Sequence, residues 1–157
     1  MLAYQLVSYF PEGSGQLYGT DFSPKMVNLA SSMLKQEIAA GKVHLNLGSV
    51  EGMPYDNGVF DRVFHCNCFY FWADMDKAVS ELKRVIRPDG KMVCIINIER
   101  LKELKKHNLM QCGNIEVDRY MSSLETHGFN NVHIEDVKND RNIPLHAIYA
   151  TAKEAII

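Results

Sequence analysis

The feature that most constrains this chain is the alternation of two hydrophobic periods along it. Apolar residues recur at helical spacing, then at strand spacing, then at helical spacing again. Residues 1–10 read as the end of a helix and 11–15 as a turn. Residues 16–21 read as a short strand. Ser23-Pro24 is a helix start, because a hydroxyl satisfies free N–H groups and proline fits the first helical position. Met26, Val27, Leu29, Ala30, Met33, Leu34 and Ile38 follow on one helix, which Gly41 stops. Val43, Leu45 and Leu47 alternate with polar residues, a strand pattern. Residues 59–66 read as a buried strand. Asp74 caps a helix carrying Ala78, Val79, Leu82, Val85 and Ile86, and Pro88-Asp89-Gly90 turns the chain. Residues 92–96 are a continuous apolar run, as in a strand covered on both faces. A helix over 117–127 stops at Gly128. Strands over 129–137 and 143–152 flank a polar turn. Strands alternating with helices imply parallel crossover units in an α/β sheet. The last two strands are too close for a crossover, so they form an antiparallel hairpin.

Composition narrows the function classes. The chain has 157 residues, 46% hydrophobic and 23% charged, which suits a single globular domain over 1–157. Seventeen Lys and Arg face nineteen Asp and Glu, so nucleic acid is not an expected partner. No apolar run approaches the roughly 20 residues of a membrane span, so no membrane is expected. Residues 1–10 lack a basic flank and a cleavage site, a poor signal peptide. Cysteines stand at 66, 68, 94 and 112. Two lie in strand-like runs, and thiols of that kind suggest a reducing, cytoplasmic location. Cys66-Asn67-Cys68 supplies only half of a tetrahedral zinc site, so no metal is expected. His65 reads as a packed histidine, the alternative being a base near the cleft. Residues 99–107 read as a solvated helix or loop. No Ser/His/Asp arrangement and no phosphate loop stands out.

Four segments, in order, carry a resemblance: Tyr18-Gly19-Thr20-Asp21-Phe22-Ser23, Gly48-Ser49-Val50-Glu51-Gly52-Met53-Pro54-Tyr55, Asn57-Gly58-Val59-Phe60-Asp61-Arg62-Val63, and Glu81 through to Arg87-Pro88-Asp89-Gly90. Together they resemble the class I S-adenosylmethionine-dependent methyltransferases of the type 11 group. The resemblance implies a Rossmann-like α/β sheet, mostly parallel, with a C-terminal antiparallel hairpin. It implies S-adenosylmethionine as cofactor and a small molecule as methyl acceptor.

The resemblance also assigns residues. Asp21, ending the second strand of the family, would accept hydrogen bonds from the ribose hydroxyls, with Phe22 beside it; the alternative is a helix cap, which Ser23 serves better. Ser49 stands where the family has an aspartate facing the adenine amine, and Val50 would pack on the ring; the alternative is a plain loop. Cys66 and Asn67 end the fourth strand, where the family contacts its cofactor and opens its substrate cleft. Phe69, Tyr70 and Trp72 would line the acceptor pocket or cover the sulfonium, or else cap the core. No catalytic base can be named.

The family's glycine-rich loop after its first strand has no counterpart. Gly13-Ser14-Gly15 precedes a strand and reads as a turn. Aligned on the family, the chain is expected to be N-terminally truncated, a partial domain without the central first strand. Two strand edges would then be left unpaired. Direct pairing of those strands, a strand from another chain, or a fragment are the three ways out. The rival function is a cofactor-dead, inactive methyltransferase-like fragment serving as an interaction module. A nicotinamide oxidoreductase would also use Asp21, but the closing hairpin argues against it.

Overall fold

A computed structural model describes residues 15–109 and 115–154. The expectations for 1–14 and for Cys112 lie outside the described residues. Contacts group the chain into two compact units, 1–53 and 54–157.

The first unit is a strand–helix–strand crossover. β1 (Leu17–Asp21) and β2 (Val43–Leu47) pair in parallel, from Leu17↔Val43 to Asp21↔Leu47. Among the described residues β1 pairs with β2 alone. The Leu45 side chain lies over Gly19, where a Cβ would meet its Cδ2 at 2.8 Å. The connection is α1 (Pro24–Met33) and α2 (Lys35–Ala39). Ser23 caps α1 as its hydroxyl accepts from Met26 N (3.4 Å), with Pro24 in the first turn. The single helix expected here is broken at Leu34. Ser32 Oγ donates to the Leu29 carbonyl (2.7 Å), a local bond that competes with helix geometry, and the Leu34 side chain is buried. Leu17, Leu34 and Val43 are the buried apolar residues of this unit, whereas Met26 and Leu29 are about half exposed.

The second unit holds the sheet β3–β4–β6–β5. β3 (Phe60–Cys66) and β4 (Ile86–Ile96) are parallel; β6 (Pro144–Ala152) runs antiparallel to both β4 and β5 (Phe129–Lys138). β4 is flanked on both sides, which explains its unbroken apolar run. Helices α3 (Met75–Val85), α4 (Ile98–Lys106) and α5 (Val117–Thr126) complete the unit. Asp74 caps α3 by accepting from Lys77 N (3.0 Å). α3 buries Met75, Ala78, Val79, Leu82 and Val85 at helical spacing. It ends one residue earlier than its apolar pattern suggests: Ile86 already pairs with Phe60, and the register shifts before Arg62↔Lys91. Residues 87–90 take up the shift as a bulge within β4, with Asp89 at φ +59°, so the turn expected at Pro88-Asp89-Gly90 is part of the strand. A Cβ at Gly90 would meet Ile86 Cγ1 at 2.5 Å and the Arg87 carbonyl at 2.8 Å.

Arg84 explains part of the 81–90 segment. Its guanidinium binds the Glu81 carboxylate through two nitrogens (2.6 and 2.8 Å) and donates to the Tyr55 carbonyl (2.7 Å) and Asn57 Oδ1 (2.9 Å). The loop before β3 is thereby pinned to α3. Gly128, at φ +93°, ends α5 in a conformation glycine adopts freely.

Candidate functional site

In the first unit, the carboxyl ends of β1 and β2 lie side by side. Asp21 closes β1 opposite Leu47, and its carbonyl accepts from Gly48 N (3.0 Å). Asp21 Oδ1 accepts from Ser23 N (2.8 Å), which orients the carboxylate. Its Oδ2 makes no hydrogen bond among the described residues. Ser23, by contrast, spends its hydroxyl on the helix N-terminus. Ser23, rather than Asp21, therefore caps the helix. Ser49 Oγ accepts from Glu51 N (3.1 Å), leaving its hydroxyl hydrogen for another acceptor. Phe22 is 74% exposed beside Asp21, and Val50 is half-buried. Asp21, Phe22, Ser49 and Val50 thus sit at one end of one small sheet, the end where open α/β sheets bind ligands.

In the second unit, the strand-end turn after β3 is tightly tied. Asn67 adopts φ +50°. Its N–H donates to the Ile95 carbonyl (2.9 Å), its Oδ1 accepts from Asn97 N (3.2 Å), and its Nδ2 donates to Cys66 Sγ (3.3 Å). Asn97 in turn caps α4 by accepting from Arg100 N (2.9 Å). Burial pushes the Cys66 thiol up, so it is a poor nucleophile. Cys94 is buried and raised further, again by burial first.

The aromatic cluster divides. Phe69 is fully buried and Tyr70 nearly so, both on a single 3₁₀ turn (Phe69–Phe71). Phe69 stacks on Tyr120, with ring centroids 4.5 Å apart and planes 8° apart. Trp72 is half-buried and packs against His65 (5.1 Å) and Tyr120 (6.0 Å). Phe71, in the same aromatic run, is 46% exposed.

His65 is a satisfied core histidine. Its Nε2 shares a hydrogen bond with the Tyr120 hydroxyl (2.7 Å), and its Nδ1 meets Cys68 Sγ (3.3 Å). Burial lowers its pKa to about 4, so it is neutral at ordinary pH. Burial also holds the Tyr120 phenol protonated. Nothing in the sequence links Tyr120 to His65 across 55 positions; the helical spacing of Tyr120 with Leu124 was the one available signal.

Ser123, His127 and Asp76 do come together, although no such arrangement stood out in the sequence. Ser123 Oγ donates to Asp76 Oδ1 (2.6 Å), and His127 Nδ1 lies 2.8 Å from the Ser123 carbonyl. The serine hydrogen goes to the carboxylate rather than to the imidazole. The group joins α3 to the end of α5 and is not a nucleophilic relay. Among the described residues no group of three His, Cys, Asp or Glu is arranged to hold a metal ion. No described helix is long and apolar enough to cross a membrane.

The sequence profile of a family described as a methyltransferase domain matches residues 3–94, more than half of the chain. The chain belongs to the methyltransferase-domain family. This methyltransferase domain is 30% identical over 94 residues to the ubiquinone/menaquinone biosynthesis C-methyltransferase UbiE of Citrifermentans bemidjiense, covering 60% of this chain and 40% of that protein. It is 27% identical over 85 residues to ajmaline N-methyltransferase of Rauvolfia serpentina, covering 54% and 29%. The aligned stretch is thus less than half of either relative. Among solved structures, a putative sarcosine dimethylglycine methyltransferase of Galdieria sulphuraria superposes with TM-score 0.71 at 13% identity, covering 96% of this chain and 74% of that one. The [4+2]-cyclase SpnF gives TM-score 0.74 at 13% identity, covering 98% and 71%. The fold is that of the Rossmann-like class I methyltransferases.

Proposed function

We propose that this methyltransferase domain binds S-adenosylmethionine and serves methyl transfer to a small-molecule acceptor. The observation that carries the reading is Asp21: a carboxylate at the end of a parallel strand, one oxygen fixed by Ser23 N and the other open. Two vicinal hydroxyls on a ribose have the donors such a group accepts. Ser49 supplies a polar contact for the purine and Val50 an apolar one, with exposed Phe22 available to cover it. The residues of the first unit therefore fit the adenosine part of the molecule. The cofactor, when bound, supplies a methyl group already activated on a sulfonium, so the protein's task is to hold and align. Cys66 and Asn67 we assign to shaping the strand-end turn of the second unit, and Trp72 to the acceptor side. Phe69 and Tyr70, being buried, support these groups from behind. The relatives named for quinone and ajmaline methylation support a small organic acceptor. The Cys66, Cys68 and Cys94 thiols, none in a disulfide, support a cytoplasmic setting.

Calorimetric titration with S-adenosylhomocysteine tests the reading, after circular dichroism shows a folded chain. The expected result is micromolar binding, weakened at least about tenfold in Asp21→Ala, as for loss of hydrogen bonds to a charged group. Asp21→Asn keeps an acceptor for Ser23 N and controls for local structure. A folded chain that binds no S-adenosylhomocysteine refutes the proposal and leaves the interaction module standing.

A further inference from the structure

Within the second unit, an open groove of about 710 Å³ runs between α4 and the start of α5. Ile98, Ile115 and Val117 give it apolar surface, and its charged lining is Lys102, Glu116, Asp118 and Arg119. The groove starts at Ile98, immediately after Asn97, whose N–H is held by Asn67. One end therefore adjoins the carboxyl end of β4.

The four charges of the lining sum to zero, but their pairing, which draws in Glu99 from outside the groove, leaves one over. Lys102 is paired with Glu99 (3.0 Å), and Arg119 with Glu116 (3.3 Å). Asp118 is left, exposed in the first turn of α5, with no ion pair or side-chain hydrogen bond among the described residues. A groove with three apolar side chains and one unmatched carboxylate complements a molecule with an apolar body and one positive charge. A carboxylate or phosphate ligand would instead have to displace Glu99 or Glu116 from its cation.

We propose that this groove binds a small amphiphile through a protonated amine, with Asp118 as the counter-charge and Ile98, Ile115 and Val117 against its apolar body. The claim that this molecule is the methyl acceptor rests on the methyl-transfer reading; the binding site itself does not. The ammonium is the handle by which the molecule is held, and the atom methylated is a separate matter.

The test uses three probes of one shape: phenethylamine, 2-phenylethanol and phenylacetate, titrated at low salt into the full chain and followed by amide chemical shifts. The amine is expected to bind best and to shift the amides around 98 and 115–119. Asp118→Asn should weaken the amine about two- to fivefold, the worth of an exposed ion pair, and leave the alcohol unchanged. Asp118→Lys should reverse the preference toward phenylacetate. Equal binding of all three probes, no reversal, or shifts confined to residues elsewhere would overturn the proposal. S-adenosylhomocysteine titrated in parallel separates the two readings. Amine binding without nucleoside binding sinks the methyl-transfer reading alone, and the converse sinks the groove alone.

Discussion

Replacing Tyr120 by phenylalanine isolates a single buried hydrogen bond. The ring stays on Phe69, so packing is preserved. What goes is the hydroxyl 2.7 Å from His65 Nε2. Tyr120 has no exposed surface, so water does not readily replace it. The net worth of a neutral hydrogen bond is about 1 kcal/mol, but an orphaned buried partner raises the loss to about 1–3 kcal/mol. A central figure of about 2 kcal/mol corresponds to a fall in Tm of about 4–8 °C for a domain of this size. Thermal melts and urea titrations followed by circular dichroism measure it. The decisive comparison is the cycle with His65→Leu. With both polar groups gone, no nitrogen is orphaned, so the double variant should lose less than the sum of the two singles, with coupling of about 1 kcal/mol or more. A Tyr120→Phe protein as stable as the parent, or strictly additive losses, would show that the His65–Tyr120 bond does not secure the strand-end turn.

Stability should depend on pH through His65. Its pKa is about 4 in the fold against an ordinary 6.5, so the unfolded chain binds the extra proton between those values. Stability from this group is therefore complete above pH 6.5 and falls by up to about 1.4 kcal/mol per unit as pH drops toward 4; His65→Leu should flatten that part of a urea-midpoint profile. Gly90→Ala should cost roughly 1–3 kcal/mol in urea unfolding, because its Cβ would meet Ile86 and the Arg87 carbonyl. Asn67→Gly should cost less than Asn67→Ala, since both lose the bond from Asn97 but only alanine resists φ +50°; equal melting points for the two would show that the backbone conformation there is without cost.

Much of the fold was legible because local chemistry and the tertiary structure agree. Ser23, Asp74 and Gly128 mark helix ends by rules that depend on their own side chains and backbone freedom, and they act so here. The strand at 43–47 and the hairpin at the C-terminus follow from period-two patterns. The break at Leu34 was not legible, because a serine hydroxyl turning to its own backbone leaves the apolar spacing intact. Nor was the exposure of Met26 and Leu29, since a helical stripe shows that a face is apolar but not whether anything covers it. At the candidate site, Asp21 was legible as the last residue of a strand. The fates of Phe69 and Tyr70 depended on Tyr120, which lies on a distant helix. The groove at Asp118 has no sequence signature: its lone charge emerges only once each neighbour's partner is known.

The order of strands in the second unit has a consequence for synthesis. β6 fills the place between β4 and β5, and among the described residues β5 has no other strand to pair with. A ribosome delivers β4 and β5 first and the strand that joins them last. At roughly 5–20 residues per second, β4 waits several seconds with an open edge, a period in which another chain can add to it. Translation that stops after Lys138 would leave two strands that cannot find each other. Stop codons and frameshifts between Lys138 and Ala152 should therefore leave the edges of β4 and β5 open, and the nascent chain should depend on chaperones until residue 152 has emerged.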